Sequence, residues 1–125
     1  MAALVGDAAG SGDVLVARAT AAGAGALAIV RLSGPSGRTL DVARGLAPRV
    51  PFPPEARHAY FSPLLDADGA VVDEGLFLFF RAPASSTGEE VVELHAHGSP
   101  AVVEALVRAA VSRGARRARP GELTR

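Results

Sequence analysis

The chain has 125 residues, no cysteine and a balanced formal charge, with 13 basic against 13 acidic residues. That length sets the expectation of one domain able to bury roughly two-thirds of its unfolded surface without staples. The composition excludes disulfides, thiolate nucleophiles and cysteine zinc sites, provides no chain-wide positive field for nucleic acid, and fits a reducing compartment, so a cytoplasmic location is expected.

In chain order, MAALVGDAAGSGD lacks a basic n-region and an apolar core long enough for a signal peptide, and no stretch reaches the roughly 20 apolar residues of a membrane span. Residues 1–12 read as a mobile tail and the domain as beginning near Asp13. DVLVARAT and ALAIVRLSG (Ala26 to Gly34) read as strands flanking the glycine-containing AAGAGA. After the Ser-Gly-Pro break, Pro35 suits a first helical turn, and Leu40, Ala43 and Leu46 recur at helical spacing before Pro48. RVPFPPEAR is a connector. HAYFSPLL, the turn DADG and VVDEGLFLFF form a predicted hairpin, followed by the loop APASSTGE and the strand VVELHAHG. Ser99 is placed as an N-cap with Pro100 at the first helical position, ahead of a stripe of Val102, Val103, Leu106, Val107, Ala110 and Val111. Gly114 stops this helix, and ARRARP reads as a last short strand. Two strands, a helix, three strands, a helix and a strand predict an α+β fold with a mixed sheet covered mainly on one face by helices. The chain ends at PGELTR without a packed terminal element, which reads as a fragment or an isolated first domain.

Chemistry narrows by elimination. All 13 basic residues are Arg, a pattern that GC-rich coding bias produces, so neither a Walker A lysine nor a Schiff-base amine is available. Gly23, Gly25 and Ala28 match the letters of a dinucleotide fingerprint, but the segment that follows is β-branched and breaks at Ser33, Gly34 and Pro35 instead of opening a helix. A triad can be written from Ser85, His95 and an Asp, yet no G-x-S-x-G elbow supports it.

In TGEEVVELHAHGSP, a period of two puts Glu93, His95 and His97 on one strand face. A metal would need three or four ligands, and His58 is the only other histidine, so hydrogen-bonded structural roles are favoured for both. Arg31 lies inside LAIVRLSG, where a guanidinium is costly to bury without a negative partner. Three readings stand: an ion pair with Glu93, an Arg that snorkels from the strand end to water, or recognition of an anionic or amide-bearing ligand by the Arg fork and by a carboxylate that accepts two parallel N–H bonds. Two anion sites are also writable, at the Gly98-Ser99 turn ahead of the Pro100 helix and at Arg113, Arg116, Arg117 and Arg119, for which a solvated basic surface is the plainer reading.

Three blocks, DVLVARATAAGAGALAIVRLSGP, STGEEVVELHAHGSP and ARPGELTR, resemble the signature blocks of the N-terminal domain of the MnmE (TrmE) family of tRNA-modification GTPases. They stand in the family's order, with the hairpin DADGAVVDEG between the first two, so the likeness covers about residues 13–125. The resemblance divides the chain into a tail (1–12), a folate-binding-type domain (13–119) and the start of a connection (120–125) to a helical and G-domain region. It implies a domain similar to the folate-binding domains of one-carbon enzymes, one that binds a tetrahydrofolate derivative (5-formyl- or methylene-tetrahydrofolate) and forms the homodimer contact.

Residue by residue, the family's V-R-[IL]-S-G arginine falls on Arg31 and the glutamate of its TGE-D/E-V-x-E block on Glu93, and both are implied to touch folate. Gly88, His95, His97, Gly98 and Ser99 are supporting pocket candidates, and no residue takes a catalytic or metal-binding role. A third folate contact of the family lies beyond Arg125. The chain departs from the family at Ala22 and Ala24, where many relatives have Pro and Arg, at Ser86, where an aromatic is common, and at Ser99, where HGG becomes HGS. In the full family, GTP, magnesium and potassium act in a G domain absent from this sequence. With the flavoprotein MnmG, the complex is implied to install a (carboxymethyl)aminomethyl-type group on carbon 5 of the tRNA wobble uridine. This chain alone is expected to bind and dimerise without catalysis. The alternatives are a folate-dependent aminomethyltransferase-type domain and a non-catalytic dimerisation module.

Overall fold

The computed structural model describes residues 12–19, 27–85 and 87–123. Its strands are β1 (Leu15–Arg18), β2 (Leu27–Gly34), β3 (Tyr60–Leu65), β4 (Val71–Phe80), β5 (Glu90–His97) and β6 (Arg116–Arg117). The helices are α1 (Arg38–Ala43) and α2 (Pro100–Ser112), and the element order is the one expected. The six strands form one sheet in the order β3-β4-β5-β2-β1-β6, antiparallel throughout except for the parallel β1–β6 pair. The fold is therefore α+β with a mixed sheet. The Gly23 and Gly25 loop, Ala22, Ala24 and Ser86 lie outside the described residues, as does the tail up to residue 11.

Alternation decides which face is buried. Ala28, Val30 and Leu32 of β2, Val92, Leu94 and Ala96 of β5, and Phe77 and Phe79 of β4 all point into the core. Each large side chain removed from water in this way contributes about 1.5–3 kcal/mol. Above them, α2 contacts all six strands, and α1 packs on β2 and β5. The connector adds Leu46, Ala47 and Val50 to the core, and Phe52 meets Phe77 edge-on at 5.9 Å.

Three details differ from the sequence expectation. The first helix starts at Arg38, because Gly37 sits at φ 85 and Pro35 accepts the turn bonds from Arg38 and Thr39 instead of entering the helix. Along α2, Ala109 joins the buried stripe while Val111 is 40% exposed. The last strand shrinks to Arg116–Arg117. The N-cap of α2 is as expected, with the Ser99 hydroxyl accepting from the Val102 N–H and Pro100 opening the helix.

Candidate functional site

Strand pairing places Arg31 directly opposite Glu93, and Glu93 opposite Leu78. One step along, Ile29 faces His95, His95 faces Leu76, and Leu76 faces Phe61. Directly paired residues share a sheet face, so these side chains stand together on the side away from the core. Arg31 and Glu93 sit at the middle of this face, flanked by apolar neighbours, with Leu76, Phe61 and Leu27 exposed toward its margin.

The polar centre is a three-residue network. Arg31 donates from Nη2 at 2.7 Å and from Nε at 3.1 Å, both to Oε2 of Glu93. His95 Nε2 lies 2.9 Å from the other oxygen, Oε1. An ionised carboxylate only accepts, so this nitrogen carries the proton. Burial alone would raise the Glu93 carboxyl, but the hydrogen bonds from His95 and Arg31, with their charges, outweigh it and hold the group below its ordinary 4.5. The ion pair considered from the sequence is thus present, half-buried, with side-chain exposures of 21% and 12% for Arg31 and Glu93.

The Thr-Gly-Glu loop closes one end of this face. Ser33, the next residue along β2 on the same side as Arg31, shares a 2.7 Å hydrogen bond with Thr87. Gly88 turns the loop at φ 84, and its N–H donates to Ser85 Oγ. That hydroxyl in turn donates to the Glu89 carbonyl, so Ser85 is engaged within its own loop and does not meet His95 as a nucleophile would. Arg57 pins the preceding residues by donating to the Ala84 carbonyl, with its guanidinium 5.7 Å from the Phe80 ring centre.

At the other end, His97 belongs to a different pair. Its Nδ1 lies 2.8 Å from Asp73 Oδ1, and its backbone N–H donates to Asp73 Oδ2 at 2.8 Å. Burial would raise the Asp73 carboxyl, but these bonds from His97 hold it below 3.8. His58 sits in the connector against Tyr60, 3.9 Å from Glu55. The three histidines do not converge, and among the described residues no three His, Cys, Asp or Glu side chains gather as a metal group. Gly98 is buried and Ser99 exposed at the start of α2, beyond His97 along the chain.

The C-terminal arginines are largely committed to partners within the domain. Arg117 pairs with Glu104, Arg116 with Asp13 and Glu122, and Arg113 donates to the Val42 carbonyl. The Arg119 N–H donates to Glu122. The ion pairs of Arg116 and Arg117 offset part of the local basic charge that suggested an acidic tail or RNA backbone as a ligand.

Two polar roles had no sequence signal. Glu90, buried beside Glu93 in the chain but facing the core, accepts from the Gly37 and Leu40 N–H groups and so satisfies the start of α1. Asp73, read only as a strand residue, proves to be the partner of His97.

Comparison with known proteins adds to this geometry. A family model described as "GTP-binding protein TrmE N-terminus" matches residues 14–125. A Myxococcus xanthus (strain DK1622) protein named "tRNA modification GTPase MnmE" is 54% identical over 116 residues, covering 92% of this chain and 26% of its own length. Proteins of the same name from Xanthomonas oryzae pv. oryzae (strain PXO99A) and Pseudomonas aeruginosa (strain UCBPP-PA14) are each 48% identical, over 114 and 115 residues. They match 91% and 90% of this chain and 24% of their own lengths. The chain spans about a quarter of the length of these curated relatives.

Proposed function

The chain belongs to the family of TrmE N-termini, and from that premise we propose that it is the folate-binding and dimerisation domain of a tRNA-modification GTPase. The observation that carries this reading is the Arg31–Glu93 pair, set in register at the centre of the sheet face opposite the one on which α1 and α2 pack. A carboxylate there offers acceptors to the paired N–H groups of an amino-pyrimidine ring, and Arg31 beside it offers donors. Ile29, Leu76 and Leu78 supply apolar surface for a flat ring. The residues present therefore fit a tetrahydrofolate derivative such as 5-formyl- or methylene-tetrahydrofolate. When bound, that group supplies the one-carbon unit; Arg31 and Glu93 hold and orient it, with Gly88, His95, His97, Gly98 and Ser99 shaping the surroundings.

The exposed Leu27, Phe61 and Leu76 on the same face support a homodimer that brings two such sites together. In the whole protein, GTP, magnesium and potassium belong to a G domain. The assembly with the flavoprotein MnmG then modifies carbon 5 of the wobble uridine of tRNA in the cytoplasm. With no Lys in its sequence, this chain has no residue for a Walker A lysine, and its own part is binding and association.

Calorimetry with 5-formyltetrahydrofolate tests the reading. Arg31→Ala and Glu93→Gln should each weaken binding by about 2–5 kcal/mol, because the partner charge is left unpaired. Unchanged affinity in both variants would leave the dimerisation module as the better description, and GTP hydrolysis by the purified chain would refute the division of labour.

A further inference from the structure

Glu93 already meets donors from its own sheet. A carboxylate has about four lone-pair positions, and three N–H groups are directed at this one: Nε and Nη2 of Arg31 on Oε2, and Nε2 of His95 on Oε1. A ligand presenting two parallel N–H donors needs two of these positions, and only one is left, so one of the present donors must yield. Oε2 has both of its positions taken by one rigid guanidinium, which is anchored opposite Glu93 by strand pairing. Oε1 is held by a single bond from an imidazole two residues along the same strand, 27% exposed and bordered in register by Ile29 and Leu76, which carry no ionisable group. Of the donors on Glu93, His95 is therefore the one that can swing toward solvent at least cost.

We infer that His95 is a placeholder on Glu93: it satisfies Oε1 while the site is empty and hands that oxygen to an N–H of the ligand's amino-pyrimidine edge. The inference rests on the reading that Glu93 grips such a ligand. His95 then acts as a specificity residue, since breaking its bond is repaid only by a ligand that donates in its place. A ligand without the exocyclic amino group leaves the exchange incomplete and gains nothing from it. The direction of the mutational effect follows and is opposite to that of a pocket wall: removing the imidazole should tighten binding.

The experiment titrates wild type, His95→Ala and His95→Gln with 5-formyltetrahydrofolate and with its 2-desamino analogue. His95→Ala should bind the amino compound roughly three- to tenfold more tightly, the net worth of one hydrogen bond. His95→Gln, which keeps a donor, should restore the wild-type affinity, and the desamino compound should show no gain in any variant. A ligand-free readout accompanies it: by carbon-13 NMR, the Glu93 carboxyl should titrate higher in His95→Ala than in wild type. Weaker or unchanged binding of the amino compound by His95→Ala, or an unmoved Glu93 titration, overturns the placeholder role while leaving the folate reading intact. Failure of all three proteins to bind either compound overturns the folate reading, and the hand-over with it.

Discussion

The carbonyl oxygen of His95 lies 2.1 Å from the position that a Cβ on Gly75 would occupy. The obstacle is backbone of the central strand β5, which also carries Glu93, so it cannot rotate away as a side chain would. Gly75→Ala should therefore force β4 and β5 apart and destabilise the domain by about 2–4 kcal/mol, in the range reserved for overpacking and backbone strain. Thermal denaturation checks the loss, and an unshifted transition would show that the two strands can separate at no cost.

Glu90 satisfies two N–H groups at the start of α1 from a strand 50 or more residues away. Glu90→Ala leaves both without that acceptor and should cost about 1–3 kcal/mol. Amide exchange provides a local reading: protection should fall first at Gly37 and Leu40, ahead of the core amides of β2.

Asp73→Ala removes the partner of the His97 ring and of its backbone N–H together. The His97 side chain is 70% exposed at the end of β5, so the expected loss is a modest ~1–2 kcal/mol in stability. Affinity for a ligand held by Arg31 and Glu93 should change far less than in Glu93→Gln. A comparable loss of affinity would bring His97 into the binding site itself.

Acid should weaken the fold in a defined direction. Glu93 in the folded chain lies below its ordinary 4.5 despite burial, through His95 and Arg31. Glu122 is lowered to about 2, chiefly by its hydrogen bond from Arg116 and then by that from the Arg119 backbone. A carboxyl with a depressed folded value binds fewer protons folded than unfolded, so its stabilisation is complete above 4.5 and is lost as pH falls through the folded value. For Glu122 that window runs from 4.5 down to about 2. Urea midpoints measured between pH 6 and pH 3 should fall for wild type, and Glu93→Gln and Glu122→Gln should each flatten the decline. An equal slope in both variants would mean that other carboxylates carry the acid sensitivity.

The parts of this fold legible in the sequence are those set by local periodicity. A period of two put Glu93 on the polar side of an otherwise apolar strand, and the helical stripe of α2 was visible apart from the exchange of Ala109 for Val111. The register that brings Arg31 onto Glu93 is a long-range property, so the ion pair stood only as one of three readings. The second role in the Thr-Gly-Glu-Glu stretch stayed hidden for the same reason: Glu90 and Glu93 differ by an odd number of positions, and nothing local tells which face meets a helix. The ion pair of Arg116 with Asp13 was hidden for the same reason, since the two lie 103 positions apart in the chain.

The two-residue strand β6 has a consequence for how the domain is made. Leu15 pairs with Arg116 and Val16 with Arg117, so this short parallel ladder joins positions separated by nearly the whole described chain. Synthesis runs from the N-terminus, and contacts between distant segments form late. One edge of β1 therefore stays unpaired until Arg117 has emerged from the ribosome, and the growing chain carries an exposed strand edge until the final residues of the sheet arrive to cover it.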